Sequence, residues 1–545
     1  MTRKHVRLTA LAFSLVPAAA LAADGPPTYE RDVRPLLVKR CTVCHNAGKV
    51  NDQDVSGGLA LDSFDAALKG AVGRPVVVPG KADASELVKR LTDADEDRRM
   101  PLSDKPLSKD DVDVFRRWVE AGAPRGEPVA VTAEARPQVK RRRLARSLDV
   151  VIPVEAKVPP NTKGLEPGGP VQLALKVGPL PSVTALAFRG DGRLLAVGTY
   201  GAVVVWDLVD GRPAVTLADV PGPVHALTFG RDGRRLAVGS GLPARSGVVR
   251  VYDVPGGTLL HEFTGHNDVV AGLAFRPDGG QLASASFDQT VRLWDLVLGR
   301  PAGVFQGHSD FVNDVAYDRD GKTVLSVAKD RSVKRIDAVK VKELRTYSDH
   351  EDDVLAVAVP PEGGRFVTAG NEPQLRWWSA GDEKPAKKVG GHGGPVHQLA
   401  FSGNGARLIS AGGDGTVRLW DGRTGAFQKT LAAPGPSEWQ YAAALSVDAS
   451  LAAAGGWDGL VRVWDADSGA LRATLMQPPG DDPAAVEWLA VAPSGYVAAS
   501  PALARLTRWR VGGKEVSSEA AGPVFVRPDA LAHALRGEPV APAFK

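Results

Sequence analysis

GHNDVVAGLAFRPDGGQLASASFDQTVRLWD, residues 265–295, holds in one stretch the landmarks that the rest of the chain repeats. Val270 to Phe275 reads as a strand, Asp278-Gly279 as a tight hairpin turn and Trp294-Asp295 as the end of a later strand. Aligned positions Trp206, Tyr252, Trp294, Ile336, Trp378, Trp420, Trp464 and Trp509 recur every 42 to 46 residues. About 19 residues before each lies a strand such as Val270–Phe275 or Val396–Phe401. Hairpin signals fall between them at Asp191-Gly192, Asp232-Gly233, Asp278-Gly279, Asp320-Gly321, Gly363-Gly364 and Asn404-Gly405, and more weakly at Asp448 and Ser494-Gly495. Gly265-His266, Gly307-His308, Asp349-His350 and Gly391-His392 precede four of the strands. One supersecondary unit is therefore repeated from about residue 169 to 513.

The period and these landmarks resemble the WD-repeat family, which implies a β-propeller of four-stranded blades. The landmarks count to eight blades. Ile336 in place of Trp and two degenerate final repeats leave seven as the alternative. An extra strand, Val171 to Lys176, could close the ring by pairing with the last blade and so leave no free sheet edge. By the same resemblance His266, Asp288 and Trp294 belong to a structural hydrogen-bond network rather than to catalysis. His225 and His397 differ, since each sits within an inner strand near the expected channel mouth, where a surface role is the plain reading. Trp457, in a turn beside Asp458, is a candidate exposed aromatic on a partner-binding face.

The other deciding stretch is Cys41-Thr42-Val43-Cys44-His45, which holds the only two cysteines of 545 residues. This spacing is the attachment signature of a c-type haem. Each thiol adds across one porphyrin vinyl group, and the adjacent imidazole of His45 becomes the proximal iron ligand. A thioredoxin-like dithiol expects a strand-to-helix setting, whereas Tyr29 to Arg40, with Val33, Leu36 and Leu37, has helical spacing. A zinc site would need further Cys or His nearby, and the region has none. The remaining helices are Ser85 to Leu91 and a segment opened by the capping box Ser108-Lys109-Asp110-Asp111. The latter carries Val112, Phe115, Trp118 and Val119 on one face and ends at Gly122. A small all-α domain with a thin core follows, to which a haem would add much of the buried surface.

The sixth iron ligand follows by elimination. His45 is the only histidine between the leader and residue 224, so bis-His ligation within the domain is excluded. Of three methionines, Met1 lies in the leader and Met476 is remote, which leaves Met100 in the loop Arg98-Arg99-Met100-Pro101. A core-filling Met is the bland reading; a His/Met pair would give a higher potential than bis-His. Arg34-Pro35-Leu36, Cys41 to His45, Gly58 to Leu61, Val78-Pro79-Gly80, Ser85-Glu86-Leu87, Arg99-Met100-Pro101 and Trp118 to Ala123 together resemble the planctomycete-type cytochrome c domain. The resemblance implies that Cys41, Cys44, His45 and Met100 take the haem positions. The polar insert Lys49 to Val55 departs from the pattern and reads as a surface loop.

The chain opens with Arg3, Lys4 and Arg7, an apolar run from Leu8 to Ala22 and Ala20-Leu21-Ala22 before Ala23-Asp24, a secretory leader with a small-residue cleavage site. The run is short for a membrane span and contains Ser14 and Pro17, and no cysteine marks a lipid anchor. The resulting division is 1–23 signal peptide, 24–124 cytochrome domain, 125–168 Pro-rich and basic linker, 169–513 propeller and 514–545 tail with a short helix from Pro528 to Leu535. Within the linker Lys140-Arg141-Arg142-Arg143 reads as a solvated spacer, with a patch for an anionic partner as the alternative. A net charge of +4 is modest and does not indicate a nucleic-acid partner. With both thiols in the haem motif no disulfide framework is left. The reading that accounts for all these features is an exported, periplasmic electron-transfer protein with one covalent haem c, its propeller binding protein partners. A haem-dependent oxidoreductase using the propeller channel, and a redox- or gas-sensing scaffold, are the alternatives; no catalytic residue is assigned.

Overall fold

The computed structural model describes residues 26–34, 36–37, 41, 45, 59–61, 64–71, 74–95, 98–100, 107–126, 148–157, 170–177, 179–432, 439–478, 486–511, 514–516 and 525–540. The leader, Cys44, the insert 49–55 and the basic run 140–143 lie outside them. The chain divides into two compact units, Met1–Lys140 and Arg141–Lys545.

The described part of the first unit is helical. Tyr29–Val33 begins a helical segment, followed by Phe64–Lys69, Glu86–Leu91 and Lys109–Glu120. The last starts where expected: Ser108 Oγ accepts the backbone N–H of Asp111 at 3.1 Å, and Asp110 and Asp111 place negative charge at the positive end of the helix dipole. Its Phe115, Trp118 and Val119 are fully buried against Tyr29, Val33, Leu37, Leu87 and Leu91. Tyr29 ties the two ends of the unit together. Its backbone N–H donates to Pro124 O at 2.9 Å, its hydroxyl to Leu61 O at 3.1 Å, and its ring meets those of Phe64 and Trp118. Sequence periodicity did not mark Phe64–Lys69, which is too short to show a face.

The second unit contains eight antiparallel sheets. Seven of them form a closed ring, with inner strands Ala185–Phe188, Val224–Phe229, Val270–Phe275, Val312–Tyr317, Val354–Ala358, Val396–Phe401 and Gln440–Leu445 as blades 1 to 7. The inner strand of blade 1 packs directly on that of blade 7, and Val183 N–H donates to Gly456 O across the seam at 2.9 Å. The count of eight landmarks is thus met by eight sheets, and the alternative of seven describes the ring. Second strands such as Gln281–Ser286 are buried at every position because both their faces meet neighbouring blades. Outer strands such as Arg300–Phe305 are largely exposed.

The eighth sheet stands outside the ring, in the order Leu148–Lys157, Pro170–Val177, Thr507–Val511, Lys514–Val516. The extra strand does pair with the last repeat, Leu173 opposite Trp509, yet this pairing caps blade 7 instead of closing the circle. Two expected boundaries move. The stretch read as linker contains the strand Leu148–Lys157, whose alternating Val150, Ile152 and Val154 are interrupted by Pro153. The stretch read as tail supplies the edge strand Lys514–Val516. The helix Pro528–Arg536 forms as expected, stopped by Gly537 at φ 75°, a left-handed turn that glycine adopts without strain.

Candidate cofactor site and propeller faces

The helical segment that begins at Tyr29 delivers the thiol. Cys41 N–H donates to Leu37 O at 2.7 Å and His45 N–H to Cys41 O at 2.9 Å, two bonds of i to i+4 spacing that tie the described residues of the motif together. Leu61 N–H then donates to His45 O at 2.8 Å and draws the chain back onto the core. Cys41 is buried in the same apolar cluster as Leu37, Leu61, Leu91 and Trp118, and His45 is half-buried. Met100 packs against that cluster from the other side of the sequence. Its backbone N–H donates to Arg90 O at 2.8 Å, which pins the loop to the end of Glu86–Leu91. Cys44 lies outside the described residues. A thiol within an apolar core, an imidazole-bearing residue four positions on and a thioether on the same core fit the donor set that a covalently tethered haem requires. Cys41, Cys44, His45 and Met100 are the residues that would hold it.

In the propeller the repeated histidines are structural, as the resemblance implied. His266 Nδ1 lies 2.9 Å from Asp288 Oδ2 and its Nε2 2.7 Å from Ser284 Oγ, while Trp294 Nε1–H donates to Ser284 Oγ at 2.8 Å. The carboxylate assigns the proton to Nδ1; the serine hydroxyl then donates to Nε2 and accepts from the indole, so every group is satisfied. Blades 4, 5 and 6 repeat the arrangement with His308/Asp330, His350/Glu372 and His392/Asp414. Blade 4 lacks the indole because Ile336 replaces it.

Burial holds His266, His350 and His392 below the ordinary histidine pKa despite their carboxylates, His350 at about 4. Burial would raise Asp288 and Asp414, but hydrogen bonds and the paired histidines hold each at about 2. These shifts fix a sign. A histidine depressed in the folded state stabilises it fully above pH 6.5, and that contribution is lost as pH falls toward 4. The two aspartates add a further loss below pH 3.8. Asp314 acts the other way. Buried in the inner strand of blade 4, it is pushed up to about 7, so its contribution is lost as pH rises toward 7. Between pH 6.5 and 4 the histidines therefore remove stability from the propeller, about 1–3 kcal/mol from His350 alone, while Asp314 restores a comparable amount. The sign is read in Asp314→Asn, where the opposing group is gone: its urea midpoint should fall between pH 6.5 and 4, and a midpoint that rises there would refute the assignment.

His225 and His397 are half-buried on blades 2 and 6, with two blades between them by the shorter arc. Burial lowers the pKa of both. His225 meets Phe287, whereas His397 sits between Trp439 and Tyr441, ring centroids 6.0 and 5.4 Å away. They are not the surface residues expected, and the structure does not gather them into one site. Among the described residues no three of His, Cys, Asp and Glu are placed to hold a metal ion. Trp457 is 62% exposed, as expected, and its backbone N–H donates to Trp439 O at 2.9 Å. Trp439 is itself 53% exposed, so blades 6 and 7 present an aromatic rim. Sequence reading found Trp457 by its turn and missed Trp439 and Tyr441, whose grouping with His397 depends on the neighbouring blade.

The fold defines a WD-repeat β-propeller preceded by a small helical domain. Residues 175–207, 257–295, 299–337, 341–379, 383–421 and 426–465 match the WD domain, G-beta repeat family. Residues 41–104 match the planctomycete cytochrome C family, and the chain is a planctomycete-type cytochrome c domain fused to a WD-repeat β-propeller. It is 32% identical over 120 residues to WD repeat-containing protein VIP3 of Arabidopsis thaliana, covering 19% of this chain and 36% of that protein. It is 32% identical over 106 residues to human WD repeat and SOCS box-containing protein 1, covering 19% and 24%. Over 107 residues it is 33% identical to yeast periodic tryptophan protein 2, covering 19% and 11%. The matched stretches thus span between 11% and 36% of the length of these three relatives. No helix among the described residues is long and apolar enough to cross a membrane.

Proposed function

We propose that this chain is an exported c-type haem protein that transfers electrons, with its propeller as the platform that docks protein partners. The observation that carries the reading is the placement of Cys41 and Met100 on one apolar cluster, with His45 four residues on and hydrogen-bonded back to Cys41 O. When bound, the haem supplies a one-electron couple. The chain contributes two thioether tethers from Cys41 and Cys44, an imidazole from His45 and a thioether from Met100. The apolar cluster of Leu37, Leu61, Leu91 and Trp118 beside Cys41 and Met100 would lower the polarity around the haem, which favours a raised potential. The leader at residues 1–23 supports export to the periplasm, where such attachment takes place. The aromatic rim of Trp439, Tyr441, Trp457 and His397 supports protein docking, since exposed Trp and Tyr are common anchors of interfaces.

The test is a reduced-minus-oxidised absorption spectrum of the chain produced with c-type haem maturation, with carbon monoxide then added to the reduced sample. A sharp α-band unmoved by the gas is expected, as is a Met100→Ala variant that binds carbon monoxide and drops in potential by on the order of 100 mV. A wild-type spectrum shifted by the gas would instead mean an open site and a sensing or catalytic role. Absence of haem would overturn the reading.

A further inference from the structure

The turns that follow the Trp-Asp pairs, and the Ile336-Asp337 pair of blade 4, share one construction. Asp295 Oδ1 accepts the backbone N–H groups of Val297 and Leu298, both at 2.9 Å, and Asp337 Oδ1 those of Val339 and Lys340 at 2.9 and 2.8 Å. Asp421 and Asp465 build the same turn on blades 6 and 7. The scaffold is constant, and only the residues at its tip vary. Blade 6 carries Arg423-Thr424 there and blade 7 Asp467-Ser468, polar groups suited to water. Blades 3 and 4 instead hold aliphatic side chains out into solvent: Val297 is 81% exposed, Leu298 59% and Val339 79%.

These tips join a wider strip. Gly299 lies beside His261 of blade 2, where an added Cβ would come within 3.5 Å of Nδ1, and the adjoining outer strand exposes Leu259 and Leu260. Gly303 of blade 3 abuts Val341 of blade 4, whose outer strand exposes Leu344. Interleaved with the aliphatics are Arg300, Lys340 and Lys342, all exposed. The nearby carboxylates are engaged: Glu343 with Lys334, Glu262 with Arg250, and Asp295 and Asp337 within their own turns. Asp295 and Asp337 keep their charge within the turns, so Arg300, Lys340 and Lys342 leave the strip a small positive excess around its apolar tips.

We propose that this outer rim of blades 2 to 4 docks on an anionic lipid surface. Two observations favour a bilayer over a protein. The exposed hydrophobic side chains of the strip are aliphatic and Val297, Leu298 and Val339 stand at the tips of successive turns, without the exposed aromatic anchors of Trp439 and Trp457. Their basic neighbours also match the charge of a phospholipid headgroup layer, into which short aliphatic tips can insert. The inference is independent of the haem reading, because it rests on the second unit alone.

The experiment uses the full chain with vesicles of phosphatidylglycerol and phosphatidylcholine, compared with phosphatidylcholine alone. Hydrogen exchange locates the contact. Anionic vesicles should slow exchange in the turns 295–300 and 337–342 but not in the equivalent turn 421–426, and high salt should abolish the effect. Val297→Asp with Val339→Asp, and separately Lys340→Glu with Lys342→Glu, should each remove the protection and weaken vesicle binding at least about tenfold. Arg423→Asp should leave both unchanged. Since residues 8–22 carry an apolar run of their own, binding without protection of these turns would count against the proposal. So would equal protection with neutral vesicles, or protection in the absence of lipid that tracks a dimer, which would assign the strip to a second copy of the chain.

Discussion

The Cys41→Ser, Cys44→Ser double variant is expected to carry no covalent haem: after denaturing electrophoresis the wild-type band retains pigment and peroxidase activity and the variant band has none. The effect should be all-or-none, because each thioether is a covalent bond and serine cannot form it. A second consequence follows from where Cys41 sits. It is part of the apolar cluster that contains Leu37, Leu91 and Trp118, so the group it tethers would extend that cluster. The core of a domain of about 100 residues is thin, and loss of the group should lower the first unit's unfolding midpoint as well as its colour. The propeller transition should not move, since it belongs to a separate compact unit. Pigment retained on the denatured double variant would refute covalent attachment through this motif.

Removing the apolar face of the last helix should cost the propeller nearly as much as a small domain has to lose. Leu531 and Leu535 of Pro528–Arg536 are buried in one cluster with Leu195 and Trp206 of blade 1 and with Val463 and Leu475 of blade 7. The helix therefore fills the seam between first and last blades. Polar contacts fix it on both sides: Arg472 of blade 7 donates to Leu535 O at 3.0 Å, and Arg536 donates to Val209 O of blade 1 at 2.9 Å. Elsewhere neighbouring blades are joined directly by arginines reaching the next blade's carbonyls, such as Arg235 to Gly279 and Arg407 to Ala449. At the seam the helix adds a second bridge to the direct Val183–Gly456 bond. Leu531→Ala with Leu535→Ala should destabilise the propeller by about 4–8 kcal/mol, the sum being uncertain because the two share a cavity. The check is urea unfolding followed by tryptophan fluorescence, with exposed His533→Ala as the silent control. A loss below about 1 kcal/mol would mean that inner-strand packing alone closes the ring.

Sequence made visible what depends on local pattern. His266, Asp288 and Trp294 could be read as a structural network by family resemblance, while Ser284 between them was not, and Met100 stood out as a candidate because so few competed. The cap at Ser108 and the stop at Gly537 were equally local. Ring size was not local. Trp509 has the landmark spacing of an eighth blade, yet no landmark reveals that Ala185–Phe188 packs against Gln440–Leu445 and leaves no place for another inner strand. Leu148–Lys157 was hidden by Pro153 and by charged residues at Asp149, Glu155 and Lys157, which suit an edge strand as well as a linker. Leu531 and Leu535, four residues apart, announce a buried stripe on a helix without saying what covers it. The aliphatic turn tips of blades 3 and 4 were missed for a related reason: a valine after a Trp-Asp pair looks like strand until the turn turns it outward.

The position of the closing helix in the gene order bears on how the molecule is made. Each of the seven blades is complete in consecutive residues, so blades can form one after another as the chain emerges. The piece that locks the circle is encoded after all of them. Until it arrives blades 1 and 7 meet only through their own strands, and Leu195, Trp206, Val463 and Leu475 lack the cover of Leu531 and Leu535, a ready target for proteases and chaperones. A chain cut short in its last thirty or so residues would carry every blade and still be recognisable as unfinished, which makes the final helix a checkpoint on synthesis as well as a clasp.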